Sequence, residues 1–272
     1  MKCIYREKKY ECGPYLEVDI YPVYEYQRGR GRKRKPTSDT MKRLNQINAE
    51  KKLIRLLNTN FTAEDIRFDL TYSAENEPAD PQEAQRELTN FLRRVKRYRA
   101  KKGLPELKYV AVTEQGSRSG RLHHHIVMSG GLLVSELTKL WGRGYTTAKA
   151  LVFDENGITG IAKYLVKNPI LNKRWNASKN LEQPKESKRD GRLSARKVTE
   201  WNLSGADNRR DIEKEYPGYF LSEINTYWNE VNGGVYIVLN LYKKEGVKND
   251  KHGNNTGQVN LRSGRARYPA GN

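Results

Sequence analysis

Three consecutive histidines, His123-His124-His125, lie between Leu122 and the apolar run Ile126-Val127-Met128 in a chain that has only 4 histidines. The segment is strand-like, and successive side chains on a strand point to opposite faces, so His123 and His125 share one face and His124 takes the other. Two imidazoles placed in this way can hold one divalent ion, with the middle side chain packing behind them. Upstream, Lys108 to Gln115 reads as a strand and Gly116-Ser117-Arg118-Ser119-Gly120 as a turn. If the turn centres near Arg118-Ser119, Glu114 is cross-strand from His123 on the same face. Two imidazoles and one carboxylate make an open site with positions left for a phosphate and water. Imidazole suits Mn2+ better than Mg2+, and either ion is compatible with this donor set. The same residues also fit a plainer arrangement, in which surface histidines sit on a strand edge and Glu114 caps a turn.

A second candidate is Tyr164. On a helix, Lys167 lies on the same face and can reach the phenolic oxygen or a phosphate beside it. With a pKa of about 10, tyrosine is a weak nucleophile at neutral pH and benefits from nearby positive charge. Spacing alone fits equally a half-buried aromatic beside a solvated lysine.

The elements that must position these residues are legible in the surrounding pattern. Arg67-Phe68-Asp69-Leu70-Thr71-Tyr72 alternates as a strand from about Ile66. Asp80-Pro81 opens a helix whose face is Ala84, Leu88, Phe91, Leu92, Val95 and Tyr98, and Gly103 stops it. After the two strands around the turn come a short helix, Ser135 to Trp141, and a strand from about Thr146 to Phe153. Asp154 is placed to cap a last helix through Ile158, Ile161, Tyr164 and Leu165 to Lys167, which Pro169 ends. Strand-helix-strand-strand-helix-strand is the ferredoxin-like split βαββαβ order, so the fold class is α+β, with an antiparallel sheet and N- and C-terminal extensions.

Outside this core, residues 14–26 read as one extended ribbon, and a helix capped by Ser38 or Asp39 runs to about Leu57 along Leu44, Ile47, Ile54 and Leu57. The segment 171–210 is polar and basic and is expected to wrap the core, and Gly218 to Lys244 reads as a helix and a closing strand. The expected organisation is therefore an N-terminal segment with ribbon, basic arm and helix over 1–60, a catalytic core over 61–170, a wrapping segment with closing helix and strand over 171–244, and a disordered tail over 245–272.

Composition narrows the partner. Against 32 acidic residues stand 51 Lys and Arg, a formal charge of +19, which points to a polyanion whose counterions the basic side chains displace. The densest runs supply the expected DNA contacts: Arg30, Arg32, Lys33 and Arg34 in a glycine-punctuated arm, Arg93, Arg94 and Arg97 near the end of the long helix, and Arg121 leading into the histidine strand. Anionic membrane is the competing polyanion, but no apolar stretch approaches the ~18 residues that span a bilayer. Residues 1–13 also lack the apolar core of a signal peptide. The 2 cysteines are too few for a disulfide framework or a four-thiolate zinc site, so a reduced, cytoplasmic protein is expected.

Phe68-x-Leu70-Thr71-Tyr72, Glu114-x-Gly116, His123-x-His125 and Tyr164-x-x-Lys167, taken in order, resemble the motifs of the HUH endonuclease superfamily. The flanks Leu140-Trp141-x-x-Gly144 and Ser178-Lys179-Asn180-Leu181-x-x-Pro184 are similar to those of replication initiators from microvirus-like phages and related plasmids. The resemblance covers residues 66–184, with a weaker echo in Tyr216-Pro217-Gly218-Tyr219. It implies that His123, His125 and Glu114 bind a divalent ion that positions the scissile phosphate. It also implies that Tyr164 attacks to form a 5′-phosphotyrosine, freeing a 3′-OH to prime synthesis, with Lys167 supporting the tyrosine or the transition-state charge. Two departures stand out. His124 occupies a position that is apolar in the family, and Gly160 and Asn168 stand where a second tyrosine would be.

The expected activity is site-specific nicking and joining of single-stranded DNA at a rolling-circle origin. No nucleotide-phosphate loop of the Gly-x-x-x-x-Gly-Lys-Ser/Thr type is found, so a host helicase is an expected partner, together with DNA polymerase. The rival readings are a single-tyrosine transposase or relaxase, a non-catalytic nucleic-acid-binding module with structural histidines, and a metal-free nuclease using two histidines as acid and base.

Overall fold

The computed structural model describes residues 3–24, 38–116, 120–153, 157–166, 173–229 and 234–244, and the side chains of these apart from 38–43, 164, 166 and 229. In chain order the elements are β1 (Cys3–Cys12), β2 (Tyr15–Tyr24), α1 (Ser38–Asn60), β3 (Ile66–Thr71), α2 (Pro81–Lys101), β4 (Tyr109–Gln115), β5 (Leu122–Met128), α3 (Val134–Trp141), β6 (Thr146–Ala150), α4 (Thr159–Val166), β7 (Asn176–Ala177), β8 (Lys185–Asp190), α5 (Ala195–Ser204), α6 (Arg209–Glu215), β9 (Tyr219–Asn229) and β10 (Gly234–Lys243).

The segment from β3 to β6 forms the expected ferredoxin-like sheet, with strand order β6-β3-β5-β4-β7 and every pairing antiparallel. The local causes are those read from the sequence. Asp80 caps α2 by accepting from the Glu83 amide at 2.7 Å, and Pro81 fills the first turn, where no amide donor is needed. The apolar stripe Ala84, Leu88, Phe91, Leu92 and Val95 is buried. It packs on Phe68, Leu70, Ala111, Ile126 and Met128, and α3 adds Leu137 and Trp141 to the same cluster. Each such large side chain taken from water stabilises by about 1.5–3 kcal/mol. One face of the sheet is thereby sealed. The alternate residues of its strands, Val110, Val112 and Val127, face α1 and α4, where Leu53, Leu57, Ile158, Ala162 and Leu165 complete a second core.

The α4 helix starts later than expected, at Thr159 rather than from a cap at Asp154, which lies outside the described residues. Gly157 precedes it with φ +64°, and a Cβ there would come within 2.6 Å of Asn58 Oδ1, so this turn is a glycine position and not helix. The β6 strand is likewise shorter than expected and ends at Ala150.

Three expectations about the extensions are corrected. Residues 14–26 are not a lone ribbon: β1 and β2 pair from Cys3↔Tyr24 to Cys12↔Tyr15 as a hairpin. Polar residues fill β1 because cross-strand partners neutralise them, Arg6 with Asp190 at 2.7 Å and Lys8 with Glu186 at 3.0 Å. The segment 171–210 is not simply a wrap, since its β8 extends the hairpin into a second sheet of order β8-β1-β2-β10-β9. The helix expected within 218–244 is the strand β9, paired along β10 with one register shift at Asn240/Leu241. Its Leu221 and Ile224 pack on a third core made by Val18, Ile20, Val198, Trp201, Ile212, Ile237 and Leu239.

The α1 helix runs as expected, but Ile47 is 38% exposed while Leu53, Ile54, Leu56 and Leu57 carry the buried face. Beyond apolar contact it is tied to the second sheet by ion pairs. Arg55 donates to Glu17 at 2.6 and 3.1 Å and to Asp19 at 3.3 Å, and Lys51 to Asp19 at 2.5 Å. Burial raises the Glu17 carboxyl, but Lys51 and Arg55 outweigh it and hold that carboxyl below its ordinary range. The basic arm Arg28–Lys35 and the tail 245–272 lie outside the described residues. Among the described residues no helix is long and apolar enough to cross a membrane.

Candidate metal centre

The hairpin β4–β5 sets the expected register, Glu114 opposite His123 and Val112 opposite His125. Its outcome is a cluster in which ligand atoms of Glu114, His123 and His125 all lie within 4.8 Å of one another. His125 Nε2 is 3.5 Å and His123 Nε2 3.7 Å from the same Glu114 Oε2. Ligand atoms that share one ion at bond lengths of about 2.1 Å are about 3.0–3.5 Å apart, so the spacing suits a shared cation.

The outer partners point the same way. His125 Nδ1 donates to Asp69 Oδ1 at 2.6 Å, and Arg67 Nε also donates to that oxygen, at 2.8 Å. His123 Nδ1 donates to the Arg121 carbonyl at 3.4 Å. Both imidazoles are thus held with their Nε2 lone pairs turned to Glu114, the tautomer that a metal ligand needs. Burial raises the Glu114 carboxyl, but His123 and then His125 outweigh it and hold its pKa at about 2. The carboxylate is therefore ionised. Two imidazoles and one carboxylate fit a divalent ion with open coordination positions.

Sequence reasoning missed Asp69. Its signal is the alternation of β3: it sits between Phe68 and Leu70, and pairing places it opposite His125. Burial raises its carboxyl, but hydrogen bonds from His125 and then Arg67 outweigh that and lower it, so it faces the imidazole as an anion. Asp69→Asn is expected to weaken divalent-ion affinity about 10–100-fold, measured by Mn2+ titration of the folded protein. Unchanged affinity would remove Asp69 from the site.

His124 occupies the opposite face, fully buried against Tyr72 and Trp141. Tyr72 Oη is 2.7 Å from its Nε2 and Thr113 Oγ1 2.9 Å from its Nδ1, while Thr113 in turn donates to Gln85 Oε1 at 3.4 Å. One tautomer satisfies all three groups: Tyr72 donates to Nε2, and Nδ1–H donates to Thr113. Burial first, then the neighbouring His123 and His125, lower its pKa to about 3 and keep it neutral. A polar residue at this inward position is thus a satisfied core histidine. His124→Leu strands the Tyr72 and Thr113 hydroxyls and is expected to cost about 1–3 kcal/mol of stability. That loss is read from a denaturation midpoint, and the metal cluster on the other face keeps its ion affinity. Loss of ion binding in folded His124→Leu would contradict the assigned register.

Tyr164 lies in α4 between Ala162 and Leu165, both buried in the core that this helix shares with Val110, Val112 and Val127. That is the sheet face carrying Glu114, His123 and His125. Lys167, Arg30, Arg32, Lys33 and Arg34 lie outside the described residues. The remaining expected DNA contacts are not gathered at the cluster. Arg93, Arg94 and Arg97 belong to α2, across the sheet from it; Arg93 and Arg97 are exposed, whereas Arg94 donates to the Leu140 carbonyl at 2.9 Å and caps α3. Arg121 is held by Glu77 at 2.8 Å and the Tyr72 carbonyl at 2.6 Å.

Fold and site together define a ferredoxin-like α+β protein with an open His-His-Glu centre on the sheet. Residues 67–169, from β3 past the end of α4, match a family model described as Replication-associated protein ORF2. This likeness supports a replication initiator. No curated protein and no solved structure matches the chain.

Proposed function

We propose that the chain is a metal-dependent endonuclease and strand transferase that nicks and rejoins single-stranded origin DNA to initiate rolling-circle replication. The observation that carries this reading is the convergence of Glu114, His123 and His125 on the sheet face against which α4, the helix containing Tyr164, is packed. Glu114, His123 and His125 would hold Mn2+ or Mg2+, which when bound supplies positive charge to the phosphate oxygens as the transition state forms.

The chain's own residues perform the transfer. The Tyr164 oxygen gives up its proton to solvent and attacks phosphorus; the bond from phosphorus to the 3′ oxygen breaks, and that oxygen takes up a proton and leaves as a 3′-OH. The phosphate stays on Tyr164 as a 5′-phosphotyrosine. Lys167 favours the phenolate by its charge. Reversal, with a 3′-OH attacking the phosphotyrosine, rejoins the strand without an external energy source. A host helicase separates the strands ahead of the nick, and a DNA polymerase extends the freed end.

Metal removal tests the reading. With single-stranded DNA from its own replicon, cleavage is expected with Mn2+, to stop on chelation and to return when Mn2+ is restored. A protein that binds the strand but never cuts it with either ion would be a binding module, and one that cuts equally well with chelator would be a metal-free nuclease.

A further inference from the structure

The face that carries the metal cluster extends past it to an edge strand that nothing covers among the described residues. Strand pairing continues in rows: Glu114, His123 and Thr71 are cross-strand neighbours, as are Val112, His125, Asp69 and Thr147, and Val110, Val127, Arg67 and Lys149. Tyr145 completes the first row. The Thr71 amide donates to the Tyr145 carbonyl at 2.9 Å and the Ser73 amide to the Arg143 carbonyl at 2.9 Å, which prolongs the β3–β6 ladder in the same register. Gly144 makes this approach possible. With φ +155°, a Cβ there would meet the Thr71 carbonyl oxygen and the Ser73 amide nitrogen at 2.5 Å.

The two faces of β6 differ sharply. Thr146 shares a hydrogen bond of 2.7 Å with Thr138 of α3, and Ala148 packs on the α2/α3 core. The alternate residues Tyr145, Thr147 and Lys149 are all exposed, Tyr145 at 79%. Single exposed aromatics are common on protein surfaces. Tyr145 differs in its place, two strands from His123 in the same row, about 10 Å away at the usual interstrand spacing.

We infer that Tyr145, Thr147 and Lys149 form a track that seats the single strand next to the scissile phosphate. The inference rests on the reading under Proposed function and adds where the substrate lies. An unpaired base stacks on the Tyr145 ring, which is indifferent to sequence because every base has a π face. Lys149, about 13 Å along the strand from Tyr145 at 3.4 Å per residue, meets a backbone phosphate. The hydroxyl of Thr147 stands between them and donates to the backbone. A ring, a hydroxyl and an ammonium in line on an otherwise open edge suit a strand of alternating bases and phosphates, and the chain's charge of +19 suits a polyanion.

The test compares full-length wild type with Tyr145→Ala, Tyr145→Phe, Lys149→Ala and Trp228→Ala. Trp228, 65% exposed on β9 of the other sheet, is the control for unspecific loss of an aromatic. Binding of single-stranded oligonucleotide is measured by fluorescence anisotropy in chelator, and cleavage against DNA concentration with Mn2+. Tyr145→Ala is expected to weaken binding about 10-fold or more. It should raise the half-saturating DNA concentration similarly, with a much smaller fall in maximal rate. Tyr145→Phe keeps the ring and the affinity. Lys149→Ala lowers the slope of log affinity against log salt by about 0.7, and Trp228→Ala binds as wild type does. Wild-type affinity in Tyr145→Ala, or an equal loss in Trp228→Ala, overturns the track. Since binding is read without cleavage, a wild type that binds but does not cut would sink the proposed chemistry and leave the Tyr145 comparison decisive.

Discussion

Alanine at His123 or at His125 is expected to lower the rate of strand cleavage by at least about 1000-fold, since charge stabilisation by a bound ion is worth several kcal/mol and each 1.36 kcal/mol is tenfold in rate. Both imidazoles present Nε2 to the same Glu114 oxygen, so neither can be lost without opening the coordination set. The two variants differ in side effects. His125→Ala also leaves the Asp69 and Glu114 carboxylates without the imidazole that lies between them, so it is the more destabilising on thermal denaturation. His123 is only partly buried and its Nδ1 bond to the Arg121 carbonyl is long, so His123→Ala leaves the denaturation midpoint nearly in place. Single-strand binding in chelator is expected to stay within about 3-fold of wild type in both, since phosphate contacts by basic side chains dominate that affinity. Cleavage that survives in either folded variant would show that the histidines are not ligands.

The centre was legible because its determinants are local. Glu114, the turn and the histidine strand form one hairpin, and alternation alone assigns faces once the turn is placed. The α2 helix was legible for the same reason, its stripe from Ala84 to Val95 meeting the period of a helix. What stayed hidden depended on distant partners. The β1 strand shows charged residues where a half-buried strand shows apolar ones, because Asp190 and Glu186 of β8 neutralise them from far along the chain. The β9 strand lies at a sheet edge, where mixed exposure blurs the alternation and lets it pass for a helix. Asp69 reads as a solvent-facing residue between two core positions until the β3–β5 pairing sets it opposite His125. Arg94 and Arg121 look like free DNA contacts in a basic run, yet each finds carbonyl or carboxylate partners within the fold. Electrostatic partners of this kind are set by tertiary structure, which pattern reading does not reach.

Tyr164→Phe is expected to have the other large effect. The substitution removes one hydroxyl and keeps the ring, so the packing of α4 through Ala162 and Leu165, ion affinity and single-strand binding all persist. Covalent capture of DNA is expected to vanish, because the attacking oxygen is gone and no second tyrosine lies a helical turn away, with Gly160 and Asn168 at those places. Lys167→Ala is expected to slow capture and not to prevent it, since a charge beside the nucleophile assists without reacting.

The most direct measurement uses a single-stranded oligonucleotide labelled on the 3′ side of the cut, incubated with wild-type protein and Mn2+, denatured and digested. The account predicts label that migrates with the protein through denaturation and maps to the peptide containing Tyr164 as a phosphotyrosine, and none in Tyr164→Phe. Cleavage that leaves all label free, with water as the nucleophile, or label on another tyrosine in the Tyr164→Phe protein at the wild-type rate, would contradict it.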